Sequence, residues 1–403
     1  MKYLILGAGP AGLTFANRLK QHGENDFLVL EYQKEAGGLC RSTIVDCSPF
    51  DIGGGHFLDV RNRKVTDFLF KFLPENEWNK YNRDSRIVLH GDEVSHPIEA
   101  NIWQMKIEEQ VEYLKSISIA GCNLGAEIPN DFVDWIYWKL GKKIAEEYMI
   151  PYNQKLFSKE LNQLGTYWLE KLPNVSFEET LLSCLHKKAY GTQPAHTQFY
   201  YPKKYGYGEI WSRMALAISE NIKYDKHVTS LNFENHSILT DTGEKFSADI
   251  IITTIPWLEY TKIAGISEEL KATISELKYS SIQTEYFNEN LKTKAQWIYY
   301  PDPKLSYHRV LVRHNFCLGS RGYWTETNSE RIEFKDKTHN FTYMNKYAYP
   351  LNTINKPMII KKLLDWGKEH KVYGLGRWGE HQHYNSDVTV DLAMKLADEL
   401  IKK

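Results

Sequence analysis

An apolar run that passes straight into a G-x-G-x-x-G turn and then an amphipathic segment leaves little freedom for how the opening of this chain folds. The run is Lys2-Tyr3-Leu4-Ile5-Leu6, the turn Gly7-Ala8-Gly9-Pro10-Ala11-Gly12, and the segment 11–22. A strand, turn and helix in that order aim backbone N–H groups and a helix N-terminus at a diphosphate. A second apolar strand, Phe27-Leu28-Val29-Leu30, ends in Glu31, nineteen positions after Gly12, where a carboxylate meets a ribose hydroxyl. Glycines alone would signal only a tight turn. The complete βαβ context reads as a dinucleotide cradle.

The chain has 403 residues, 42% hydrophobic and 25% charged, an ordinary globular balance with length for two or three domains. A formal net charge of -1 provides no basic footprint, so nucleic acid is not an expected partner. Cys40, Cys47, Cys122, Cys184 and Cys317 are scattered without a C-x-x-C pair, which argues against a disulfide framework or zinc site and for a reducing compartment. No metal site is expected at His381 and His383, because nothing beside them completes a ligand set. The chain enters its first strand without a secretory leader, and no apolar run reaches membrane-span length. The expectation is a soluble, cytoplasmic protein whose oligomeric state is left open, a homo-oligomer included.

Further along, Gly53-Gly54-Gly55 permits close backbone approach to a flat ligand. Residues 87–97 read as a hairpin turning at Gly91-Asp92. Apolar spacing makes 106–189 a helical insertion, broken where Pro151 discourages continuation. The aromatic and glycine-rich stretch 199–209 suggests a loop against a ligand, and 226–255 reads as β-structure returning to the first domain. Residues 279–318 alternate as an antiparallel sheet would, and 387–401 reads as a terminal amphipathic helix. The expected fold class is α/β. A discontinuous Rossmann-like cofactor domain (1–85, 205–275, 365–403) carries a helical insertion domain (100–190) and an antiparallel-sheet substrate domain (86–99, 191–204, 276–364).

Several motifs recur in a telling order: Gly7-Ala8-Gly9-Pro10-Ala11-Gly12-Leu13, Gly37-Gly38-Leu39, Asp51-Ile52-Gly53-Gly54-Gly55-His56, Pro151-Tyr152-Asn153-Gln154-Lys155, Tyr201-Pro202, Trp297-Ile298-Tyr299-Tyr300-Pro301, Arg309, Tyr349-Pro350 and Gly376-Arg377. Together they resemble the UDP-galactopyranose mutase family, flavoproteins that interconvert pyranose and furanose forms of a nucleotide sugar. The first two groups are generic to FAD-binding proteins. The Pro-Tyr-Asn and Trp-x-Tyr-x-Pro elements look nearest to the eukaryotic-type branch.

The resemblance implies FAD along Gly7, Gly9, Pro10, Ala11 and Gly12, with Glu31 on its ribose, and with Gly38, Leu39 and Arg41 alongside. It implies Gly54, Gly55 and His56 against the isoalloxazine, the Val228 backbone at the adenine, and Gly376 and Arg377 near the diphosphate. Asn385, Asp387 and Val388 would form the loop and helix start beneath the ring. Activity would require reduced FAD, whose N5 attacks the anomeric carbon of a nucleotide-diphosphate hexose without net redox, serving cell-surface polysaccharide synthesis. His56, Arg309, Lys171, Tyr299 and Tyr349 would be catalytic. His96, Glu99, Tyr152, Asn153, Phe157, His383 and Tyr384 would join Lys171, Tyr299, Arg309 and Tyr349 around the substrate.

The chain departs from the family at three places. Lys171 stands where an arginine is usual, His383 where a tyrosine is, and His96-Pro97-Ile98-Glu99 replaces an aromatic and a glutamine. A lysine is a point charge where a guanidinium is a bidentate fork. An FAD-dependent oxidoreductase of the amine-oxidase or protoporphyrinogen-oxidase type shares the same cradle and is the alternative. A flavin-binding protein that has lost its chemistry is a third reading.

Overall fold

Tyr3–Leu6 is buried along its whole length, as a strand covered on both faces must be. It pairs in parallel with Phe27–Leu30 on one side and Ile250–Thr253 on the other, Tyr3 lying opposite both Phe27 and Ile250. Ile222–Lys223 and Val372–Gly374 complete a five-stranded parallel sheet. The computed structural model describes every residue except 159, 170–173, 192–196, 333–340 and 403. The helices Pro10–Gln21 and Ser386–Ile401 pack together, burying Leu13, Phe15 and Ala16 with Val390, Ala393 and Ala397. Arg18 reaches across to Asp398 at 2.6 Å.

A second, seven-stranded sheet runs in the order Phe341–Pro350, Tyr279–Phe287, Tyr323–Asn328, Arg309–Leu311, Trp297–Tyr299, Ser85–Leu89, Asp92–Ser95. Its pairings are antiparallel except that of Trp297–Tyr299 with Ser85–Leu89, which is parallel. Val228–Asn232, Ser237–Thr240 and Lys245–Ser247 form a separate antiparallel meander, so only the last strand of the 226–255 stretch joins the parallel sheet.

Three local expectations are corrected. The hairpin turns at His90-Gly91, since Leu89 lies opposite Asp92; both turn residues have positive φ (52° and 91°), as a type I′ turn demands, and Asp92 is already in the strand. Pro151 does not interrupt a helix but sits in the first turn of Ile150–Phe157. The π-helical Ala145–Met149 before it widens the backbone and absorbs the missing N–H. Gln198–Pro202 is a strand, not a loop: it pairs with Leu58–Asp59 and Trp78–Asn82 outside the seven-stranded sheet, with Phe199 and Tyr201 buried on its inner face. The sharp bend in Phe132–Ile144 comes at Gly141 (φ 72°), where a Cβ would stand 2.3 Å from the Ser116 carbonyl oxygen.

Candidate functional site

A cavity of about 590 Å3 runs along the parallel sheet, and its walls begin with Gly7, Gly9, Pro10 and Ala11. Gly7 has φ 103°, and a Cβ on Gly12 would stand 2.0 Å from the Gly7 carbonyl oxygen, so the turn closes only with glycine there. Gly9 caps the helix Pro10–Gln21 with no side chain to satisfy the first-turn N–H groups. Those donors, at the positive end of the helix dipole, suit a diphosphate. Buried Glu31 also lines the cavity and accepts from Ala8 N–H (2.7 Å) and Gln33 N–H (2.9 Å); burial raises its pKa. Val228 lies on the same walls.

The cavity continues past Gly38, Leu39, Arg41, His56, Arg377 and Tyr384. Arg41 donates to the Gly38 carbonyl and to Tyr343 Oη. Arg377 donates to the carbonyls of Tyr384 and Ala348, and its guanidinium carbon lies 5.7 Å from the centre of the Tyr349 ring. Gly376 (φ 76°) lets this segment meet the first helix: its Cβ would lie 2.6 Å from that of Ala11. Asn385 is the N-cap of Ser386–Ile401, with Asp387 buried and Val388 half-buried in the first turn. Uncapped helix donors, a buried carboxylate at the end of the second strand and a cavity of this size fit a flavin dinucleotide.

At the far end of the cradle, Gly54 (φ 89°) would collide with Glu326 if it carried a Cβ, at 2.4 Å from Oε1, and Gly55 N–H donates to the same carboxylate at 3.2 Å. His56 Nδ1 lies 3.1 Å from the Gly54 carbonyl, and its ring stacks on Tyr207 with centroids 6.3 Å apart. Burial, with Arg377 nearby, pushes its pKa down to about 4, so the imidazole is neutral at pH 7. An imidazole NMR titration is expected to show neutral His56 down to about pH 5, with Arg377 contributing to the shift. A midpoint near 6.5 would mean that solvent reaches the ring.

Arg309 sits directly opposite Glu326 on adjoining strands and opposite Tyr299 on the other side. Its Nη2 and Nε donate to Glu326 Oε2 at 2.5 and 3.1 Å, and Nη2 lies 3.3 Å from Tyr349 Oη. Burial would raise the Glu326 pKa, but Arg309 and His308 outweigh it and hold the carboxyl at about 2. Tyr349 packs 4.8 Å from the His383 ring. Tyr299 is flanked by His96 at 5.3 Å and Tyr152 at 5.4 Å. Burial, then Arg83, pushes His96 down to about 3, and burial raises Glu99 to about 6. Asn153 is buried with its amide donating to the Met149 carbonyl of its own helix, and Phe157 packs edge-on to Trp168. Lys171 lies outside the described residues.

Glu326 and Arg83 escaped the sequence reading, and Tyr207 lay within the 199–209 stretch without being singled out. Glu326 carried one signal, a lone carboxylate amid the buried run Trp324-Thr325-Glu326-Thr327. Its pairing with Arg309 depends on strand register, which the residues alone do not give.

The family model described as flavin containing amine oxidoreductase matches residues 10–282. The chain belongs to this flavoprotein family. Over 78 residues the flavoprotein is 32% identical to a UDP-galactopyranose mutase of Mycoplasma pneumoniae, a match that spans 19% of each chain. Its fold is similar to that of a reduced UDP-galactopyranose mutase (TM-score 0.88, 21% identity, 100% of this chain and 94% of the other). It is also similar, at TM-score 0.73 and 13% identity, to a putative protoporphyrinogen oxidase from Exiguobacterium sp., covering 100% and 99% of the two chains. These likenesses establish the fold. Among the described residues, no helix is long and apolar enough to cross a membrane.

Proposed function

We propose that this flavoprotein interconverts the pyranose and furanose forms of a nucleotide-diphosphate hexose, a UDP-galactose-like sugar, using reduced FAD and no net redox. The observation that carries the reading is the chain of contacts from Gly55 N–H through Glu326 to Arg309 and Tyr349. It sets a guanidinium and a phenol beside the loop that the flavin ring is expected to meet. Such a wall suits a substrate that releases an anion, whereas an amine oxidase must accommodate a cationic one.

When bound and reduced, FAD supplies at N5 the nucleophile for the anomeric carbon. The protein does the rest. Arg309 offsets charge on the departing diphosphate, and the Tyr299 and Tyr349 hydroxyls donate to its oxygens. Neutral His56 adds no charge beside the ring and keeps the glycine loop in place through the Gly54 carbonyl. The buried rings of Tyr299 and His308, with half-buried Tyr152 packed against both, keep water from the reacting carbon.

The test is to incubate oxidised and dithionite-reduced protein, without oxygen, with UDP-, TDP- and GDP-linked hexopyranoses, N-acetylated ones included. The expected result is an isomer of equal mass from the reduced protein alone. Substrate-dependent oxygen consumption in air, with no isomer formed from any sugar, would instead establish an oxidase.

A further inference from the structure

Arg83 precedes the strand Ser85–Leu89 and is held on several sides. Its Nη2 donates to Tyr299 Oη at 2.8 Å, its Nε donates to Ser85 Oγ at 2.6 Å, and its guanidinium carbon lies 4.9 Å from the centre of the Trp297 ring. The backbone beneath it is pinned as well, Arg83 N–H donating to the Thr197 carbonyl at 2.9 Å.

A phenol oxygen that accepts from a guanidinium keeps its own hydrogen to give elsewhere. Tyr299 stands between His96 and Tyr152 and directly across the strands from Arg309. The Arg309–Tyr349 contact repeats the arrangement on the neighbouring wall. Arg309 shares its guanidinium with buried Glu326, and a dianion is better met by two cations than by one.

We infer that Arg83 is a positioning residue for the substrate diphosphate, acting through Tyr299. It fixes the phenol with its hydrogen turned to the cleft and adds positive charge behind it. This rests on the nucleotide-sugar reading above and names a residue which that reading did not include.

The experiment titrates flavin-loaded protein with UDP and follows the flavin absorbance. Arg83→Gln is expected to weaken UDP binding on the order of tenfold or more, as for loss of a charge-assisted hydrogen bond. Tyr299→Phe should weaken it similarly, and the double variant should be little worse than either single one, the mark of two groups acting as a unit. Arg83→Gln should also show a shallower loss of affinity with added salt, which a merely structural role would not produce. Arg83→Lys should recover part of the affinity, and should Arg83→Gln lose its flavin, Arg83→Lys and Tyr299→Phe carry the comparison. Wild-type affinity in Arg83→Gln, or fully additive losses in the double variant, would overturn the inference while leaving the function standing. Failure of the wild-type protein to bind any of UDP, TDP and GDP would overturn both.

Discussion

Arg309→Ala is expected to slow turnover of the nucleotide sugar on the order of a hundredfold, because the proposed reaction sets this cation against the departing diphosphate. Unlike the loss of an ordinary surface ligand, it should also cost about 3–5 kcal/mol of stability, because it leaves Glu326 buried without its partner. The two effects separate in the double variant Arg309→Ala/Glu326→Gln, where stability should largely return and turnover should not. The acid limb gives an independent check. In the intact protein the Glu326 pKa is held at about 2, below its unfolded value of about 4.3. The pair's contribution is therefore fully present above about pH 4.3 and is lost as pH falls toward 2. In Arg309→Ala, burial dominates and the carboxyl favours its protonated form, so this contribution reverses sign and stability falls as pH rises. Thermal unfolding across pH 3–7 reads that reversal. Unchanged turnover would remove Arg309 from the site.

Gly12→Ala should largely abolish flavin loading. Its Cβ would stand 2.0 Å from the Gly7 carbonyl oxygen, so the turn between the first strand and helix must open and the helix donors must leave their places. Overpacking of this kind costs about 1–3 kcal/mol, equivalent to roughly fivefold to somewhat over a hundredfold in affinity if it falls on the cofactor site. Gly9→Ala is the informative contrast. A Cβ there meets nothing nearer than the Gly38 Cα at 4.0 Å and borders the cavity. It should weaken flavin binding while leaving the thermal midpoint of the flavin-stripped protein unchanged, whereas Gly12→Ala lowers both. Flavin absorbance after purification and thermal unfolding of the stripped proteins distinguish the two.

The cradle could be read from the residues because its determinants are local: Gly7 to Gly12 set the turn, and Glu31 follows one helix and one strand later. The same holds for Ser386–Ile401, whose apolar spacing marks its buried face. Where alternatives were close in local energy, residue chemistry misled. Gly91-Asp92 looks like a turn as readily as His90-Gly91, and only the pairing of Leu89 with Asp92 decides. Pro151 stops helices in general, but here a π turn absorbs its defect. The substrate wall is harder still. Glu326 meets Arg309 through the register of two successive strands, and Arg83 meets Tyr299 where strands far apart in the chain pair in parallel, and no short motif records either.

Glu326 touches the Gly55 N–H and the Arg309 guanidinium at once. Under the proposed function, the seat of the flavin ring and the phosphate clamp share one anchor, so a substitution that retunes the clamp also disturbs the cofactor. Drift in substrate preference is thereby channelled to positions outside this chain of contacts.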